Sequence, residues 1–169
     1  MDYLNINDKK LVPVIAELNQ LLAEYNVYYQ KLRSFHWNIL GKNFFELHNK
    51  FEELYNDAKL KIDETAERIL TLRYHPVSKF SKYLKMAEIQ ESSAMISDTE
   101  MVDHILKDHE IILQQMKRVI NKSETARDDG TIDMIGGYIA ELEKSSWMFE
   151  AWSRDSKDLF KKANRIKAS

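Results

Sequence analysis

Two histidines and three acidic residues have the spacing from which metal chemistry can be built. His48 and Glu52 stand four apart in FFELHNKFEELY, and Asp63 and Glu67 stand four apart in KIDETAER. Positions four apart on an α-helix stack on one face, as two ligands of a shared ion must. With His48 at zero, Glu52 falls at about 40°, Asp63 at about 60° and Glu67 at about 100° around the helix. The four share one stripe that flanks the apolar side. An ordinary solvated helix face presents such a charged stripe as well. His36 extends the set: it ends the first helical pattern just before a break at Gly41, beyond which the chain turns back toward His48. The plain alternative for His36 is a core histidine satisfied by a carbonyl. Two imidazoles with carboxylates and no thiolate suit Fe(II), and equally Zn(II), Co(II) or Mn(II).

Distance along the helix constrains the arrangement further. His48 and Asp63 are 15 residues apart, which is roughly 22 Å at the helical rise. No single ion with ligand bonds near about 2 Å touches both from one straight helix. If they share a site, two chains must supply it. A two-fold axis across this helix lays two copies antiparallel, setting His48 and Glu52 of one against Asp63 and Glu67 of the other, with two equivalent sites per dimer. The chain contains no Glu-x-x-His, which argues against a di-iron site built inside one bundle from such pairs.

The elements that must position these residues are helices. Four Gly and two Pro in 169 residues leave few breaks, so the helices are long. The first shows apolar positions Leu11, Ile15, Leu18, Leu22, Tyr25, Tyr29 and Leu32, with His36 next in the series. The second runs from about residue 43, with Phe44, Leu47, Phe51, Leu54, Ala58, Ile62 and Ile69 on one stripe. Ser97-Asp98-Thr99-Glu100 reads as a capping box that opens the third, with Ile96 and Met101 as its hydrophobic staple. Its stripe is Val102, Ile105, His109, Ile112, Met116 and Val119. The fourth spans about 131 to 152 through Ile132, Ile135, Ile139, Leu142 and Phe149. The connection over residues 74–96 is long and holds a short pattern, Phe80, Tyr83, Leu84 and Ala87, read as an extra helix within a crossover. The predicted class is all-α: a ferritin-like four-helix bundle with one long crossover. The bundle is expected over 1–152 and a basic extension over 153–169.

Composition narrows the function classes. With no Cys, disulfides, Fe–S clusters, Cys-ligated zinc and thiol catalysis are excluded, and a reducing cytosol is suited. No stretch approaches the 18 or so apolar residues of a membrane span, and the N-terminus does not read as a signal peptide. The formal charge of −2 is unevenly divided. Six basic and two acidic residues from Arg154 onward give the last 16 residues +4, leaving the body at −6. An acidic body with a basic tail is a pattern to explain.

The segment FHWNILGKNFFELHNKFEELYNDAKLKIDETAERI resembles the signature of the Dps mini-ferritins (DNA-binding proteins from starved cells), and the resemblance extends from about residue 8 to Trp152. It carries His-Trp-Asn, then Gly, Phe-Phe and His, with Asp-x-x-x-Glu-Arg 15 residues beyond that His. The resemblance implies a hollow dodecamer in the bacterial cytoplasm and a di-iron ferroxidase centre at a dimer interface. It assigns that centre to His36, His48, Glu52, Asp63 and Glu67. Glu52 departs from the aspartate common at its position, and the longer arm alters metal geometry. The family oxidises Fe(II), preferentially with hydrogen peroxide, and stores Fe(III) mineral, sparing DNA from hydroxyl radicals. Trp37 matches a tryptophan near the site that can trap an oxidising equivalent, or is simply a packed aromatic. Glu124, Asp129 and Asp133 match carboxylates lining a three-fold pore for Fe(II) uptake, where a negative field would concentrate cations; Asp128 or Asp129 also fits as a helix cap. DNA contact by the basic tail residues Lys157, Lys161, Lys162, Arg165 and Lys167 is a further expectation, multiplied by avidity across a shell. The tail's apolar Leu159, Phe160 and Ile166 fit docking on the shell instead. The competing function class is a nucleoid-compacting architectural protein with secondary metal handling; five metal-type residues favour the iron oxidase.

Overall fold

The computed structural model describes residues 8–154, and the secondary structure among them is helical throughout. Five helices follow one another: α1 (Asp8–Asn38), α2 (Phe44–Thr71), the short α3 (Phe80–Met86), α4 (Asp98–Ala126) and α5 (Asp129–Ser153). The four long helices form the bundle and α3 lies in the crossover, as the sequence pattern predicts. The expected tail contacts at Lys157, Lys161, Lys162, Arg165 and Lys167 lie outside the described residues. No described helix is long and apolar enough to cross a membrane.

Each boundary has a local cause. Between α1 and α2 the chain reverses at Gly41, whose φ of 104° is open to glycine and strained for other residues. The capping box at α4 is formed: the Ser97 side chain accepts from the Glu100 backbone N–H, and Glu100 accepts from the Ser97 N–H. Between α4 and α5, Arg127 adopts the left-handed conformation at φ 58°, and the Asp128 side chain caps α5 by accepting from the Thr131 N–H. That decides between the two candidate caps in favour of Asp128. Arg68 of α2 ion-pairs with the buried Asp128 and donates to Thr131 Oγ1 at 2.9 Å, so the α4–α5 turn is pinned to α2.

The crossover is fastened to α1 by polar groups. Glu24, fully buried, accepts the backbone N–H groups of Glu88 and Ile89 at 2.8 and 3.0 Å. Asn19 accepts the Val77 N–H at 2.8 Å, and Gln20 donates to the Met86 carbonyl at 2.7 Å. These bonds satisfy loop backbone that packing would otherwise strand.

The core follows the predicted stripes in part: Phe44 and Ile62 of α2 are half-buried, and Phe80 and Leu84 of α3 are exposed. α1 packs against α2, α3 and α4, so it buries more than one stripe: Val14, Leu21, Tyr28 and Phe35 are buried beside the predicted set, and Tyr29 is only half-buried. On α5, Ile132 and Ile139 are also half-buried, whereas Tyr138 is buried. Tyr138 reaches that position by donating its hydroxyl to Glu64 of α2 beneath the Lys61 ammonium, 5.2 Å from its ring.

A buried imidazole makes the bundle sensitive to pH. His109 is fully enclosed, hydrogen-bonded to the Tyr28 hydroxyl at 2.7 Å and the Ser146 hydroxyl at 2.8 Å. Because Ser146 donates onward to the Leu142 carbonyl, it accepts from His109 Nδ1, and Nε2 accepts from Tyr28. Burial pushes the imidazole down to about 3. The unfolded chain takes up this proton below about 6.5 and the folded chain does not, so stability falls as pH drops through that window. Its neighbour Asp108, paired with Lys31 at 2.7 Å, is raised by burial to about 6 and contributes the opposite slope between about 4 and 6. Relative to the His109→Gln variant, the wild type should therefore lose about 2 kcal/mol between pH 7 and pH 5. Chemical denaturation at the two pH values measures this, and equal losses in both proteins would contradict it.

Candidate metal centre

The end of α1 and the first turns of α2 bring His36 and His48 face to face. Their rings stack with centroids 3.8 Å apart and planes at 24°. Each ring is bonded to the other residue's backbone: His36 Nδ1 to the His48 carbonyl at 2.8 Å, and His48 Nδ1 to the His36 carbonyl at 2.9 Å. A carbonyl only accepts, so both Nδ1 atoms carry the proton. In the neutral rings, both Nε2 lone pairs are therefore free. Outer hydrogen bonds of this kind fix tautomer and ring direction in metal-binding histidines. Phe44 stacks on His48 with centroids 4.9 Å apart, and Tyr55 stands edge-on to His36 at 5.4 Å.

Glu52 follows His48 by one turn and is exposed, its Oε1 accepting from the Tyr55 hydroxyl at 3.2 Å. Asp63 and Glu67 are exposed farther along the same helix. Among the described residues of one chain, no three His, Asp or Glu side chains converge tightly enough to hold an ion. The structure thus brings His36 and His48 together, places Glu52 one helical turn beyond His48, and leaves Asp63 and Glu67 as a separate pair farther along α2. A shared site from these five residues still needs a second copy.

Glu124, Asp129 and Asp133 are all exposed around the α4–α5 connection. Asp133 and Glu67 line the same open groove between α2 and α5, of about 650 Å³. Across this seam the helices are linked by Lys61 to Glu141 at 2.8 Å, by Tyr138 to Glu64 and by Arg68 to Asp128. Trp37 is 57% exposed in the single chain, with the Arg33 guanidinium 4.7 Å from its ring, so it is not a packed core aromatic. Sequence reasoning missed Tyr55 and Arg68. Tyr55 had a signal in its spacing of three from Glu52; the partner of Arg68 is 60 residues away and had none.

The ferritin-like domain family matches residues 15–158. The DNA protection during starvation protein 2 of Bacillus anthracis is 40% identical over 139 residues, covering 82% of this chain and 95% of that protein. The crystal structure of the DPS protein from Vibrio cholerae O1 superimposes with a TM-score of 0.87 at 41% identity, covering 91% of this chain and 97% of the other. The chain belongs to the Dps proteins of the ferritin-like family. A Dps protein from Bacillus brevis gives a TM-score of 0.84 at 38% identity, over 86% of this chain and 98% of that one. The V. cholerae protein is described as one of a broad superfamily of ferritin-like diiron-carboxylate proteins. The Dps fold agrees with the four long helices and the crossover helix found here.

Proposed function

We propose that this Dps chain is an iron-sequestering ferroxidase of the bacterial cytoplasm. It assembles as a hollow dodecamer of two-fold dimers, oxidises Fe(II) with hydrogen peroxide and keeps the Fe(III) as mineral inside. The observation that carries this reading is the reciprocal bonding of His36 and His48, which frees two Nε2 lone pairs, with the exposed Glu52 one helical turn beyond His48. Asp63 and Glu67 of the partner chain complete each centre, two centres per dimer.

Fe(II) is the substrate. Two Fe(II) ions give one electron each to one peroxide; the O–O bond breaks, two protons are taken up and two waters form. Paired delivery avoids the one-electron product, the hydroxyl radical. Few protein ligands leave open positions on the metal for the oxidant. The names of the DNA protection relatives and the diiron-carboxylate superfamily of the V. cholerae protein support the reading. Exposed Glu124, Asp129 and Asp133 attract Fe(II) at a three-fold pore by their field. Trp37, exposed beside His36, takes up stray oxidising equivalents. The basic residues Lys157, Lys161, Lys162, Arg165 and Lys167 that follow α5 in sequence contact DNA phosphates.

Anaerobic titration tests the reaction. Iron oxidation should end at about two Fe(II) per peroxide, with little radical captured by a spin trap. One Fe(II) per peroxide with abundant radical adducts would contradict paired oxidation.

A further inference from the structure

Tyr55 is tied to both parts of the histidine half-site. It lies three residues beyond Glu52 on α2, and its hydroxyl donates to Glu52 Oε1 at 3.2 Å. That is the hydrogen bond the structure gives Glu52, whose side chain otherwise projects exposed. The Tyr55 ring is wedged between two aromatic neighbours from α1, meeting His36 at 5.4 Å and 82° and Tyr29 at 6.1 Å and 83°. Tyr29 is itself covered by the Arg33 guanidinium at 5.3 Å. The hydroxyl therefore sits on a ring whose direction is fixed by α1, while its acceptor stands on α2.

A glutamate has one more rotatable bond than an aspartate, and an exposed carboxylate on that arm is free to swing away from the imidazoles. A donor held by a packed ring removes that freedom. It occupies Oε1 and leaves Oε2 as the oxygen available to an ion. We propose that Tyr55 is a positioning residue for metal binding, holding the long arm of Glu52 in a one-oxygen ligating pose beside His36. The inference rests on the reading of His36, His48 and Glu52 as metal ligands. Partners that orient a ligand in this way typically alter metal affinity by 10–100-fold.

The test uses the assembled protein and Co(II), which stands in for Fe(II) without being oxidised and reports its ligand geometry in visible absorption bands. Tyr55→Phe keeps the ring against His36 and removes only the hydroxyl. It should weaken Co(II) binding about tenfold and shift the absorption bands. In the Glu52→Asp background the shorter carboxylate no longer reaches the hydroxyl, so adding Tyr55→Phe should change neither affinity nor spectrum. Unchanged binding and spectrum for Tyr55→Phe alone would overturn the proposal. Equal weakening in both backgrounds would also overturn it, because Tyr55 would then act through ring packing. The double variant His36→Ala/His48→Ala serves as the control that loses Co(II). If the wild type binds no Co(II), the metal site itself fails, and the role of Tyr55 with it.

Discussion

Replacing His36 and His48 together by alanine should slow peroxide-dependent Fe(II) oxidation by at least about a hundredfold, because the proposed centre then loses both of its imidazole ligands. The shell should still assemble. The two rings brace the α1–α2 turn through their carbonyl bonds, and losing both costs about 2 kcal/mol of local stability. The turn retains Phe35, Ile39, Leu47 and Phe51, each buried to 2% exposure or less, so the bundle has its main anchors without the imidazoles. Activity and assembly are therefore separable. Stopped-flow absorbance of Fe(III) reads the first, and size-exclusion chromatography reads the second. The single variants will not divide the loss evenly, because each removes a ligand and also the ring that packs on the other. Unchanged kinetics in an assembled double variant would refute the site.

Much of this molecule was legible in its sequence because helical periodicity is a local signal. The stripes of α2 and α4, the capping box at Ser97 and the short crossover helix all depend on residues within a few turns of one another. The placement of the candidate ligands was legible for the same reason: His48 and Glu52 are one turn apart, and the shortness of the break at Gly41 returns the chain to His36. What escaped depends on partners distant in sequence. The breadth of the buried face of α1 follows from three neighbouring elements, which a single stripe does not encode. Tyr138 is buried because Glu64, 74 residues earlier, accepts its hydroxyl. The tie between Arg68 and the α4–α5 turn belongs to tertiary geometry in the same way. The reciprocal bonds of His36 and His48 are a finer case: their proximity could be read from spacing, but the protonated nitrogens are fixed by backbone carbonyls visible only in three dimensions.

The central claim is that one centre takes its ligands from two chains, and complementation between two inactive variants tests it most directly. One variant carries His36→Ala and His48→Ala; the other carries Asp63→Asn and Glu67→Gln. Each alone should be inert, because every site in its shells lacks either the imidazoles or the partner's carboxylates. In a mixed dimer the defects segregate. One site receives intact histidines from the second variant and intact carboxylates from the first, and the other site receives neither. Random pairing after co-expression makes half the dimers mixed, so about one-quarter of the sites should be whole. Fe(II) oxidation by peroxide should rise to about one-quarter of the wild-type rate per chain. A site contained within one chain would give no recovery in any mixture. Mixed shells as inactive as either parent, with mixed dimers verified by mass, would contradict the split centre.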